Sequence, residues 1–288
     1  MGSWTNATPE RTPAGVILNP GALEQVVHRR LAAPGPALAR IVEAYWSVRL
    51  NRELSMPEAG SSLIPPFSVN LTHEVNTGRD HGATPVVLTG VPTKRFDVRL
   101  RGAGSVTGVK LLPGAFTLVT GAHACLLTDR TIDAREFIAD EVVDAFARAV
   151  TAPLDEQPDR IDKALLPLLP DAWPPEYLRA RELLAMAHDA QVTSVDMLAR
   201  RADLGVRTVQ REFLRWIGLG PKQVIMRMRL HDAAAALEVA GTTGNLDLAT
   251  LAVRLGFYDQ AHFTREFTRF VGVPPARYAA GQAQRPKQ

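Results

Sequence analysis

A chain of 288 residues, 46% hydrophobic and 22% charged, has room for two domains and the composition of an ordinary globular protein, which excludes fibrous, low-complexity and disordered classes. Cys125 is the single cysteine, so an intrachain disulfide and a cysteine-built metal site are both excluded. No apolar run approaches the ~20 residues of a membrane span, and MGSWTNATPERTPAG lacks the basic and apolar regions of a secretory signal, so a cytoplasmic protein is expected.

Residues 1–20 are polar, with Pro9, Pro13 and Pro20, and are expected to be a flexible, loosely attached N-terminus. The stretch ALEQVVHRRL (22–31) reads as a short helix, ended by Pro34-Gly35-Pro36. From 41 to 112 the signals are for strands. IVEAYWSVRL, SSLIPPFSVNLTHEV, TPVVLTGV, KRFDVRL and SVTGVKLL are short, rich in Val, Leu and aromatics, and punctuated by Gly and Pro. Short strands at regular spacing predict a small sandwich or barrel.

After Pro113-Gly114 the pattern turns helical. AFTLVTGAHACLL (115–127), DAREFIADEVVDAFARAV (133–150) and DRIDKALLPLL (159–169) read as helices, the second with Phe137, Val142, Phe146 and Val150 on one stripe. The prolines of PDAWPPE (170–176) cannot continue a helix and mark a domain boundary. From 176 onward the chain reads as helical throughout, with Ser194 as an N-cap and Pro221 in a first turn. Charge divides at the same place. Residues 1–175 carry a net −2 and residues 176–288 a net +5, which fits nucleic-acid binding by the latter.

The helical part contains an internal repeat. Arg211–Phe213 recurs as Arg265–Phe267, 54 residues on, and at that offset Val209 matches Phe263, Gly218 matches Gly272 and Pro221 matches Pro275. Earlier in each copy the offset is 53, pairing Ala199 with Ala252, Ala202 with Leu255 and Leu204 with Phe257. The slip falls after the turn, where a loop absorbs it. The turn residues, Asp203 and Gly256, both tolerate a left-handed backbone. Each copy thus reads as a helix-turn-helix.

In the first copy Val206, Val209, Phe213, Trp216 and Ile217 are spaced for burial, leaving Arg207, Thr208, Gln210, Arg211 and Arg215 outward. In the second, Phe263, Phe267 and Phe270 are buried and Gln260, His262, Thr264 and Arg265 face out. Arg and Gln suit bidentate contacts with guanine and adenine edges in the major groove. Arg207, Arg211 and Arg215 taken singly fit a solvated charge row equally well. The connecting helix, Pro221 to Ala240, spans ~30 Å, close to the ~34 Å of one DNA turn. Val224, Met228, Ala235 and Val239 form its packing seam. Arg227 and Arg229 are left for phosphate contact or for the solvated surface.

GFYDQAHFTREFTRFVGVPPARY (256–278) resembles the signature of the C-terminal DNA-binding domain of the AraC/XylS family of bacterial transcription regulators, through Gly256-Phe257, Phe263, Arg265, Phe267, Gly272, Pro275 and Tyr278. The resemblance covers 178–282. It implies base contacts from Arg207, Gln210 and Arg211 in the first unit and from Gln260, Ala261 and Arg265 in the second. Ala261 offers only an apolar contact, and Gly205 stands where the family usually has a Ser or Thr cap. GVKLLPGAF (108–116), followed by Leu127-Thr128-Asp129, is similar to a motif of an uncharacterised branch, which implies a cupin-like sensory domain upstream.

A metal-dependent cupin enzyme needs clustered histidines, whereas His28, His73, His81 and His123 are scattered. Neither a nucleophile–base motif nor a phosphate-binding glycine loop is present, so no catalytic residue, cofactor or metal is expected. The expected fold is α+β: a flexible 1–20, a β-rich barrel or sandwich with trailing helices over 21–170, a linker at 171–176, an all-α domain of two helix-turn-helix units joined by a long helix over 177–282, and a tail at 283–288. The expected function is a sequence-specific, double-stranded-DNA-binding transcription regulator, activator or repressor. A small-molecule effector, a homodimer partner and RNA polymerase are the candidate partners. Two other readings stay open: an N-terminal domain that only dimerises, and a cupin-like enzyme fused to a DNA-binding domain.

Overall fold

The computed structural model describes residues 4–6, 16–17, 27–50, 58–64, 66–77, 84–94, 96–101, 104–243 and 247–283. Seven antiparallel strands form one sheet in the order β1 (Thr5–Asn6), β3 (Val27–Ala32), β4 (Val42–Leu50), β9 (Ser105–Leu111), β6 (Asn70–Val75), β7 (Val86–Thr89) and β10 (Thr131–Asp133). Strands β2 (Val16–Ile17), β5 (Glu58–Ile64) and β8 (Phe96–Arg101) form a second sheet.

The large sheet has one register that explains its core. Ala32, Tyr45, Val109, Leu71, Leu88 and Ile132 lie opposite one another across six successive strands, and all belong to one buried cluster. Alternation puts the next residues on the other face. There Trp46 lies opposite Gly108, and a Cβ on Gly108 would sit 2.6 Å from the indole. Glycine is required because the ring occupies that space. The Trp46 face also buries Thr72, Glu74, Thr89 and Lys110. Thr72 donates to Glu74 at 3.0 Å and Lys110 to Glu43 at 2.7 Å. Burial lowers the Lys110 pKa, with Glu43 opposing the shift.

The short helix expected over 22–31 is corrected. Residues 27–32 are strand β3, paired residue for residue with β4; residues 22–26 lie outside the described residues. The helix-forming side chains of this stretch yield to a ladder that local propensity does not encode. Of the expected flexible N-terminus, residues 5–6 pair with β3 and 16–17 with β5.

Helices cover the Tyr45 face. They are α1 (Ala115–Thr120), α2 (Asp140–Thr151) and α3 (Gln157–Leu165). The helix expected over 115–127 divides at Gly121, whose φ of 72° stops α1 before a separate turn at Ala124–Leu127. Val142, Phe146 and Val150 are buried as expected. Phe137 precedes α2 and packs edge-on to Phe116 at 5.4 Å. The space between sheet and helices is an apolar cavity of about 10 Å³, lined by Leu71, Leu88, Val109 and Phe116 among others, at the lower limit for one water.

The rest is helical: α4 (Pro175–Ala187), α5 (Val195–Arg201), α6 (Val206–Trp216), α7 (Pro221–Thr243), α8 (Leu248–Arg254), α9 (Gln260–Val271) and α10 (Pro275–Ala283). Two buried clusters hold these helices. One joins α4, α5, α6 and the start of α7, through Tyr177, Leu198, Phe213, Trp216 and Val224, and includes Val91 from the strand region. The other joins the second half of α7 to α8, α9 and α10, through Leu237, Phe263, Phe267 and Tyr278.

Candidate nucleic-acid interface

The sequence repeat is also a repeat of backbone conformation. Helices α5 and α8 are each seven residues long. Both end in a left-handed residue, Asp203 at φ 52° and Gly256 at φ 73°. The following amide closes the turn identically, Leu204 to Ala199 O and Phe257 to Ala252 O, both at 2.9 Å. At the far end of each second helix, Gly218 and Gly272 have φ 86° and 91°. Gly205 and Asp259 occupy equivalent N-caps, so the one-residue slip is Tyr258, which is 90% exposed.

Helix α6 turns Val209, Phe213 and Trp216 into the core and leaves Arg207, Gln210 and Arg211 exposed, with Leu214 continuing that face. Thr208 is half-buried. Arg215 departs from the outward row: it is half-buried with its guanidinium 5.2 Å from the Trp216 ring. The apolar indole at the next position supplies a surface that a solvated row would lack.

Helix α9 buries Phe263, Phe267 and Phe270 and exposes Gln260, Ala261 and Arg265. Thr264 is half-buried. His262 is also half-buried, edge-on to Phe257 at 5.6 Å, so its ring belongs to the turn rather than to the outward face. The α9 cap is strong, with Asp259 accepting from the His262 amide at 2.6 Å, whereas Gly205 provides no side-chain cap to α6. Asp259→Ala is expected to lower the stability of the second unit by about 1 kcal/mol, measured in a urea titration followed by circular dichroism. An unchanged midpoint would remove the cap from the account.

The connecting helix α7 has 23 residues, about 35 Å at ~1.5 Å per residue. Its packing seam is not the single stripe that the sequence suggests. Val224, Ile225 and Met228 enter the first cluster, and Leu230, Ala233, Ala234 and Leu237 enter the second, while Val239 is 63% exposed. The helix serves two units on different sides, so its buried face rotates along its length.

Arg227 and Arg229 are engaged within the chain rather than offered to phosphate. Arg229 donates to Thr193 O, in the loop before α5, and to Gly256 O, in the turn of the second unit. It brackets the two units, and burial lowers its pKa. Arg227 is 2% exposed and donates to Pro92 O. Burial pushes its pKa down to about 10, opposed by the field of Asp129, so it stays charged at neutral pH. Partners distant in sequence create both roles, and no local pattern announces them.

A helix-turn-helix domain family matches residues 198–281. A family described as Domain of unknown function (DUF6597) matches residues 30–133. No curated protein matches the chain. Among solved structures, the C-terminal domain of AraT, a response regulator from Geobacillus stearothermophilus, is similar at 17% identity and a TM-score of 0.31, over 38% of this chain and 88% of that one. ToxT from Vibrio cholerae O395 is similar at 12% identity and a TM-score of 0.36, over 75% of this chain and 86% of that one. The AraC-like transcriptional activator CuxR is similar at 12% identity and a TM-score of 0.28, over 73% and 82%. Among the described residues no helix is long and apolar enough to cross a membrane.

Proposed function

We propose, from the premise that residues 198–281 form a helix-turn-helix domain of the AraC type, that this chain is a sequence-specific transcription regulator acting in the cytoplasm on two adjacent major-groove sites. One observation carries the reading. Two helices of matching backbone geometry, α6 and α9, expose Arg207, Gln210 and Arg211 and Gln260 and Arg265, and α7 joins them over about the length of one DNA turn. The polar faces discriminate bases, and the basic C-terminal part supplies affinity for phosphate. The domain division at 171–176, and contact with RNA polymerase or a second copy, belong to the same reading.

Of the nine candidate contacts, the five exposed polar ones carry base recognition in this reading. In the same reading the half-buried Thr208 and Thr264 make shorter contacts to the DNA backbone, and Arg215 and His262 support their helices. The effector is a small molecule held by the β-rich region. The buried Thr72, Glu74, Thr89 and Lys110 on the Trp46 face support a polar ligand there, since the opposite face is filled with apolar side chains.

Genome-wide protection mapping with the intact chain should return a site with two half-sites about one DNA turn apart. On that site Arg211→Ala and Arg265→Ala should each weaken binding by about 1–3 kcal/mol and relax preference at one half-site. Unchanged affinity in both variants would show that the two faces are misassigned. A thermal-shift screen of metabolites tests the effector, and no stabilisation by any would favour a region that only dimerises.

A further inference from the structure

Arg227 sits where three parts of the chain meet. Its guanidinium lies 5.2 Å from the Phe67 ring and 5.1 Å from the Phe270 ring, and it donates to Pro92 O. Phe67 and Pro92 belong to the β-rich region, Arg227 to the connecting helix and Phe270 to the second recognition helix α9. Strand β5 also approaches α9.

The segment that presents Pro92 is braced. Gly90 N donates to Arg130 O at 3.0 Å and Asp129 N to Val91 O at 3.3 Å. The Asp129 carboxylate accepts from Thr93 N and Thr93 Oγ1, each at 2.6 Å. These bonds extend the β7–β10 pairing into a pad formed by 90–93 and 127–130. The pad grips the first unit as well, with Thr128 Oγ1 donating to Gly218 O at 2.5 Å. Beside it Thr117 Oγ1 donates to Arg215 O at 2.8 Å, at the C-terminal end of α6. One braced surface of the β-rich region therefore holds the first unit directly and reaches the second through Arg227, alongside the approach of β5 to α9.

The chemistry needs arginine. A planar guanidinium can present its faces to rings while its edge donates to a carbonyl, and a lysine ammonium cannot do both. Burying that charge is costly without such partners.

We propose that Arg227 is a positioning residue through which the β-rich region fixes the angle between the two recognition helices, and so the half-site spacing that the chain accepts. The joint stands on the contacts above, and only its DNA consequence rests on the regulator reading. It gives the β-rich region a mechanical route to DNA: a displacement of the pad moves α9 relative to α6.

The experiment uses the full chain with Cys125→Ser, spin-labelled at the exposed positions 148 and 277, without DNA. The wild-type background should give one narrow distance distribution, and Arg227→Met and Arg227→Lys broad ones. Phe67→Leu, which removes a ring from the β-rich side, carries the same expectation should the arginine variants fail to fold. Distributions that superimpose on the wild type in folded variants overturn the joint. In a second arm, the chain is titrated with duplexes carrying its protected site, with one or two base pairs inserted between half-sites. Wild type should lose about ten-fold in affinity per inserted pair, the scale of a mismatch, and Arg227→Met should lose this discrimination. Wild-type binding indifferent to spacing overturns the proposal. If no duplex is bound specifically by wild type, the regulator reading falls, and the distance arm still decides the joint.

Discussion

Phe267→Ala is expected to remove about 3–5 kcal/mol and to melt the second helix-turn-helix unit ahead of the rest of the chain. Phe267 is 0% exposed and packs at 5.7 Å from the Phe263 ring and 5.5 Å from the Tyr278 ring. Alanine leaves a cavity inside the buried cluster shared by α7, α8, α9 and α10, and Tyr278 is tethered by its hydroxyl to Glu238 at 2.8 Å, so collapse into the space is restricted. The measurement separates the units by their chromophores. All four tryptophans, Trp4, Trp46, Trp173 and Trp216, lie outside the second unit. Helical ellipticity should therefore fall early on heating while tryptophan emission keeps its wild-type midpoint. Equal shifts of both signals would mean that the clusters unfold as one block. On the proposed regulator reading, DNA affinity should fall to what the first unit supplies.

Gly90→Ala is expected to damage the pad formed by 90–93 and 127–130. A Cβ on Gly90 would lie 1.9 Å from Leu127 O and 2.4 Å from Leu127 C. The obstacle is backbone, held in place by the Gly90–Arg130 bond, so no side chain can swing aside. Relief requires parting the two segments of the pad, at a cost of about 3 kcal/mol or more. Here tryptophan emission should report the loss, because the pad touches the cluster that contains Trp216. Gly121→Ala is the comparison. Its added Cβ meets nothing within 4 Å, but its φ is 72°, which predicts a milder cost of about 1–2 kcal/mol. If Gly90→Ala were the milder of the two, the close approach at the pad would not be the stress described.

The repeat was legible in the sequence because it is local. Matched Gly, Pro and aromatic positions 53 or 54 apart translate directly into matched left-handed turns at Asp203, Gly256, Gly218 and Gly272. The strand signals of 41–112 likewise became β4, β5, β6, β7, β8 and β9, with SSLIPPFSVNLTHEV divided between β5 and β6. What escaped depends on long-range partners. VHRRLA is a strand because β4 lies beside it, and nothing in its own composition requires that. Arg227 and Arg229 look like surface cations until Pro92, 135 residues away, and Thr193, 36 residues away, take up their hydrogen bonds. Arg215 and His262 share a helix face with residues that remain exposed, but a neighbouring Trp216 or Phe257 ring draws each inward.

The cluster that places Val91 beside Tyr177, Trp216 and Val224 bears on how such chains can be recombined. Prolines 170, 174 and 175 make an inviting splice point, yet a chimaera joined there would strip Val91 and Gly114 from the aromatic surface of the first unit, where Gly114 lies against Tyr177. A splice within α7, between Met228 and Leu230, follows the divide between the two helical clusters. Exchange of the whole second helix-turn-helix unit is therefore the less disruptive graft, provided the donor segment supplies an aromatic ring at position 270 for Arg227 to meet. The first unit transfers only together with the β-rich region it leans on.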